Sequence, residues 1–127
     1  MKRALQIALG LLAIIPGFFA LSGLLFGAAP LGGEDLPAPV DNQLRYLSGV
    51  YLLVAFLAIR IIPRIEKEGA TLTLIVAALF IGALGRLYST LVVGDPLPQQ
   101  IAGMALELGS PVLIIFQRMV AKQAGGQ

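Results

Sequence analysis

Four apolar stretches separated by polar breaks organise the chain. The first, about residues 4–26 (ALQIALGLLAIIPGFFALSGLLF), holds no charged residue. It is long enough to cross a bilayer core, which takes roughly 20 apolar residues in a helix. The second, about 43–62 (QLRYLSGVYLLVAFLAIRII), is charge-free only from Tyr46 to Ile59, which puts Arg45 and Arg60 near its two boundaries. The third, about 70–93, carries Arg86 within LFIGALGRLYSTLVVGDP, and the fourth, about 97–120, carries Glu107. The breaks differ in kind. Residues 27–42 (GAAPLGGEDLPAPVDN) hold three prolines and three glycines, a density that breaks helix and strand alike and predicts an extended outer loop. Its acids are Glu34, Asp35 and Asp41, and Asp41 or Asn42 is the expected N-cap of the second helix. Pro63 ends that helix and opens a charged turn through Gly69, and Gly94-Asp95-Pro96 closes the third. The expected fold is all-α: one domain over residues 1–127, an integral membrane four-helix bundle.

The first stretch has a rival reading as a signal peptide. Met1-Lys2-Arg3 would be its basic start, Pro16 a helix breaker and Ala20-Leu21-Ser22 a cleavage site. The apolar run exceeds the roughly 7–15 residues of a signal core, which favours the membrane helix.

Composition agrees with the pattern. Of the 127 residues 57% are hydrophobic and 13% charged, and mean hydropathy is +0.89; soluble domains carry about twice that share of charge. The chain has no cysteine and no histidine. That excludes disulfides, thiol redox relays, thiolate metal sites and histidine-ligated haem, and removes the commonest general base. Any chemistry falls to Asp, Glu, Tyr, Lys, Arg, Ser or Thr, or to a cofactor held without cysteine or histidine ligands, and the sequence singles out no metal site, cofactor or catalytic residue. The net charge of +2 does not describe a nucleic-acid surface, because the basic residues sit at segment ends and not in one solvated patch.

Those basic residues orient the bundle. Lys2, Arg3, Arg60, Arg64, Lys67, Arg118 and Lys122 fall on the side of the termini and the middle turn, while residues 27–42 and 94–96 hold acids and neither Lys nor Arg. The positive-inside rule puts both termini in the cytoplasm.

The exceptions, Arg45 and Arg86, lie towards the outer face. Arg86 is eight residues from Gly94, about 12 Å along a helix, and Glu107 is nine from Pro98, about 13 Å. Equal depth on helices joined by a short turn makes them natural partners, since either charge alone is costly in lipid. Helical spacing gathers Ala78, Gly82, Gly85, Arg86 and Ser89 on one face, and Gln100, Gly103, Glu107, Ser110 and Ile114 on another. Small residues beside a charge let neighbouring backbones approach and bury it. Pro111 lacks the N–H that would reach the carbonyl of Glu107, which is expected to leave that oxygen open. Asp41 and Arg45, four apart, pair along the second helix, with Ser48 and Gly49 continuing their face. The expected polar cluster is Asp41, Asn42, Arg45, Arg86 and Glu107, with Tyr46, Tyr88, Ser89 and Ser110 as contributors. For Tyr46, Tyr51 and Tyr88 alike, an interfacial anchor or a packing role is favoured over membership in the cluster. Gly23-Leu24-Leu25-Phe26-Gly27 spells a GxxxG, which serves either a dimer face or packing within the chain.

DNQLRYLSGVYL (41–52), GALGRLYS (82–89), Gly94-Asp95-Pro96 and Glu107-Leu108 together resemble a bacterial membrane family, domain of unknown function 4345. The resemblance runs from the second helix onward, and the first helix fits it by apolarity. It implies a small four-helix membrane domain with Asp41, Asn42, Arg45, Gly49, Arg86 and Glu107 at recurrent polar positions, in the bacterial cytoplasmic membrane. It implies no activity.

Three functions fit these residues. The first is a non-enzymatic accessory or scaffold component of a larger membrane complex, or a homo-oligomer, whose polar pair sets helix register. The second is a binding or transport protein for a lipid, quinone or small amphiphile at the Arg/Glu cluster. The third is a small membrane enzyme using a carboxylate as acid or base.

Overall fold

Pro16 is the residue most at odds with the first apolar stretch as a single helix, yet α1 (Lys2–Phe26) runs unbroken through it, with the prolyl ring buried. This computed structural model describes residues 1–33 and 36–126; Glu34 and Asp35 of the expected outer loop lie outside the described residues. After a 3₁₀ turn at Ala29–Leu31 comes α2 (Ala38–Ile61), and a second 3₁₀ segment, Ile62–Lys67, leads into α3 (Gly69–Val92). The chain ends with α4 (Pro98–Gly109) and α5 (Val112–Gly125). Among the described residues the chain is all-helical.

Two boundaries differ from the sequence expectation. Helix α2 starts at Ala38, not near residue 43, so Asp41 sits in its first turn and is not the N-cap. Pro37 and Pro39 explain this: proline's preset φ suits a helix start, where its missing N–H has no intrahelical role. The fourth segment is two helices bent by 41° at Ser110-Pro111, because Pro111 cannot continue the hydrogen-bond ladder. The four segments thus contain five helices. Three helices are long and apolar enough to cross a membrane, or four if the bent pair is one span.

Helices α1 and α2 pair most extensively, and α3 pairs next with α4. Glycine makes the first pairing close. A Cβ on Gly23 would run into the Ser48 hydroxyl, and one on Gly17 would lie 3.6 Å from Ala55 Cβ. The half-motif Gly23…Gly27 is therefore used within the chain. At Gly27, φ is +60°, and a Cβ there would stand 2.7 Å from Asp41 Oδ1.

The large-residue core fills one end only. Leu5, Leu9 and Ala13 of α1 meet Ala58, Ile61, Ile65, Leu72, Ile75, Val76, Leu79 and Val120, grouped around the Ile62–Lys67 turn and reaching mid-bundle at Ala13 and Leu79. That turn is tied down by Gln6 and Gln117, whose amides donate to the Ile62 carbonyl at 2.8 Å and the Ile65 carbonyl at 3.0 Å. Towards the opposite end the buried apolar residues shrink to Ala20, Ala28, Ala55 and Ala83. Alanines cannot fill the gap between two helix pairs, so the bundle opens there.

Candidate functional site

The opening is a cavity of about 770 Å³ between the α1–α2 and α3–α4 pairs. Phe18 and Phe19 from α1, Leu44, Leu47 and Val54 from α2, and Ala78, Leu79 and Gly82 from α3 form its mostly apolar walls. Arg86 from α3, Gln99, Gln100 and Glu107 from α4, and Ser48 and Tyr51 from α2 bring polar groups to the same space. The stripe of small residues on α3 does not pack against a neighbouring backbone as its spacing suggests. A Cβ on Gly82 or Gly85 would meet nothing within 4 Å, and Ala78 and Gly82 are cavity wall. The bend at Pro111 contributes: α5 closes on the Ile62–Lys67 turn and α1, while α4 stays with α3.

Glu107 is the hub of the polar set and is only 5% exposed. Tyr51 donates its hydroxyl to Glu107 Oε1 at 2.6 Å. Arg86 Nε stands 3.7 Å from Oε2, an ion pair just beyond hydrogen-bond length. One carboxylate thereby links α2, α3 and α4. Its backbone carbonyl is not open, contrary to the reading from Pro111. Ser110 takes it twice, through its hydroxyl at 2.6 Å and its N–H at 3.2 Å. A serine one residue before the proline supplies the donors that the proline withholds.

The other expected members lie elsewhere. Asp41 and Arg45 pair at 2.9 Å, but Arg45 turns to the end of α1, donating to the carbonyls of Leu24 at 2.9 Å and Leu25 at 3.3 Å. It satisfies carbonyls that a helix C-terminus leaves without N–H partners. This pair borders a separate hollow of about 340 Å³ with Phe26, Ala28, Gly33 and Leu36. Asn42 is exposed. Tyr46 and Tyr88 are 64% and 70% exposed and face away from the cavity. Ser89 is exposed, and its carbonyl accepts the N–H of Val93 at 2.8 Å. Ser110 is buried beside Glu107. The expected single cluster is thus two groups, Arg86–Glu107–Ser110 at the cavity and Asp41–Arg45 at the α1 terminus.

Tyr51 is the member that the sequence reading did not single out. Its spacing carried a signal: it lies three residues after Ser48, on the face that continues inward from Arg45, whereas Tyr46 is five residues away. At about 100° per residue, five residues turn a helix by roughly 140° net, so one of the two tyrosines had to point away from the partner helices.

No curated protein and no solved structure matches the chain. A family described as Domain of unknown function (DUF4345) matches residues 4–117, taking in α1 as well as the later helices that carry the recognisable motifs. The chain belongs to this DUF4345 family.

Proposed function

We propose that the protein is a multi-pass membrane protein, both termini cytoplasmic, that binds an amphiphile in the cavity between its two helix pairs. The bacterial cytoplasmic membrane fits this reading. The observation that carries it is the juxtaposition of a 770 Å³ apolar-walled space with the Tyr51–Glu107–Arg86 set. Small-molecule sites are concave, of about 300–1,000 Å³, mostly apolar, with a few convergent polar groups. A scaffold whose ion pair only fixed helix register would fill the space around that pair. Here α3 presents glycine to it instead. The seven basic residues at the termini and middle turn support the orientation.

The test is native mass spectrometry of the full chain in mild detergent, wild type against Gly82→Leu. Leucine at this open position projects into the cavity without a clash. Wild type is expected to retain an amphiphile adduct, or to gain one when incubated with lipid extract, and Gly82→Leu to lose most of it. Wild type without any adduct, or an adduct indifferent to Gly82→Leu, overturns the proposal.

A further inference from the structure

Resting on that reading, we infer the class of ligand: an acyl-chain amphiphile with an anionic carboxylate or phosphate head, seated with the head on Arg86 and one chain along the apolar walls. The argument is a count of donors and acceptors. Glu107 is sunk in the wall, and its Oε1 has a donor in Tyr51 at 2.6 Å. It is not available as the main acceptor for a ligand. Arg86 is different. Its side chain is 38% exposed, and its closest carboxylate contact is the 3.7 Å approach to Glu107. Among the described residues, no well-formed hydrogen bond runs from its guanidinium to a protein acceptor; the Tyr51 hydroxyl beside it is already committed to Glu107. A guanidinium carries five N–H donors in a fixed fork and no acceptor. Glu107 balances the charge of Arg86 while leaving that fork to an incoming group.

In an apolar cavity such donors need an acceptor, because a polar group left unpaired away from water is costly. A planar carboxylate or a phosphate fits the fork with two parallel hydrogen bonds. A cationic head brings no acceptor for the fork, and a neutral head offers only weaker ones. Size points the same way. A space of about 770 Å³ lies in the upper part of the roughly 300–1,000 Å³ typical of small-molecule sites, the size class of a ligand such as one acyl chain with its head. Phe18, Phe19, Leu47 and Val54 line the part that the chain would occupy.

The experiment measures direct binding of radiolabelled oleate and radiolabelled monoolein to the purified full chain in detergent. Unlabelled oleoyl-lysophosphatidate and dioleoyl-phosphatidylglycerol then compete. The expected result is oleate or lysophosphatidate bound about tenfold or more tightly than monoolein, as charge-assisted hydrogen bonds imply. Arg86→Gln should erase most of that gap, and Tyr88→Phe, on an outward face, should leave it intact. Whether oleate, lysophosphatidate or phosphatidylglycerol competes best separates a free fatty acid, a single-chain phosphate and a membrane phospholipid as the source. Monoolein binding as tightly as oleate, or a gap that survives Arg86→Gln, overturns the anionic head and leaves amphiphile binding standing. Binding of none of these probes overturns both. If Arg86→Gln does not fold, the wild-type ratio of oleate to monoolein decides alone.

Discussion

Replacing Tyr51 by phenylalanine removes one oxygen and leaves Glu107 Oε1 without its 2.6 Å donor. Water cannot easily take the place of the hydroxyl, since Glu107 is only 5% exposed. Hydrogen bonds to charged groups contribute about 1.5–3 kcal/mol in soluble proteins. Interhelical hydrogen bonds in membrane bundles average about 0.6 kcal/mol and reach about 1.7. The short distance and the buried carboxylate put this bond near the upper membrane figure, about 1.5 kcal/mol. The perturbation is otherwise small, because phenylalanine keeps the ring that packs against the core cluster. The assay is reversible SDS unfolding of the detergent-solubilised protein for wild type, Tyr51→Phe, Glu107→Leu and the double variant. The cycle should return a coupling of about 1 kcal/mol or more, since the hydroxyl has nothing to bond once the carboxylate is gone. Additive losses, or a Tyr51→Phe variant as stable as wild type, would refute Glu107 as the joint between α2 and α4.

Two further outcomes follow from the same geometry. Arg86→Leu and Glu107→Leu are each expected to destabilise, with the double change costing about 1 kcal/mol less than their sum, because each single change strands a charge; additivity in the same unfolding assay would show that the 3.7 Å approach carries no energy. Gly23→Val should cost about 1–3 kcal/mol by overpacking the α1–α2 seam and be partly relieved by Ser48→Ala, since the Ser48 hydroxyl is what the new side chain strikes; equal losses with and without Ser48→Ala would contradict that seam.

Legibility from the sequence varied with how local the determining physics was. The four apolar segments were readable because the length of an apolar run is a property of the chain alone. The kink was half-readable: Pro111 forbids a continuous ladder, but that Ser110 would take the abandoned carbonyl depends on a rotamer. The Asp41–Arg45 pair followed from four-residue spacing, while the use of Arg45 on α1 did not, since it requires knowing where another helix ends. The start of α2 is ambiguous in sequence because Pro37 and Pro39 suit a loop as well as a helix start, and the structure uses them to initiate the helix.

What the sequence by itself determined is the four apolar segments, the family and the one arginine and one carboxylate deep within the third and fourth of them. What only the tertiary structure decided is what surrounds them. The same stripe of Ala78, Gly82 and Gly85 could have let a helix approach closely or left a void, because small side chains permit both. The outcome turned on where the large residues went: Leu72, Ile75, Val76 and Leu79 draw α3 into the core near the termini. At the other end alanines and glycines are too small to close the two helix pairs over Arg86.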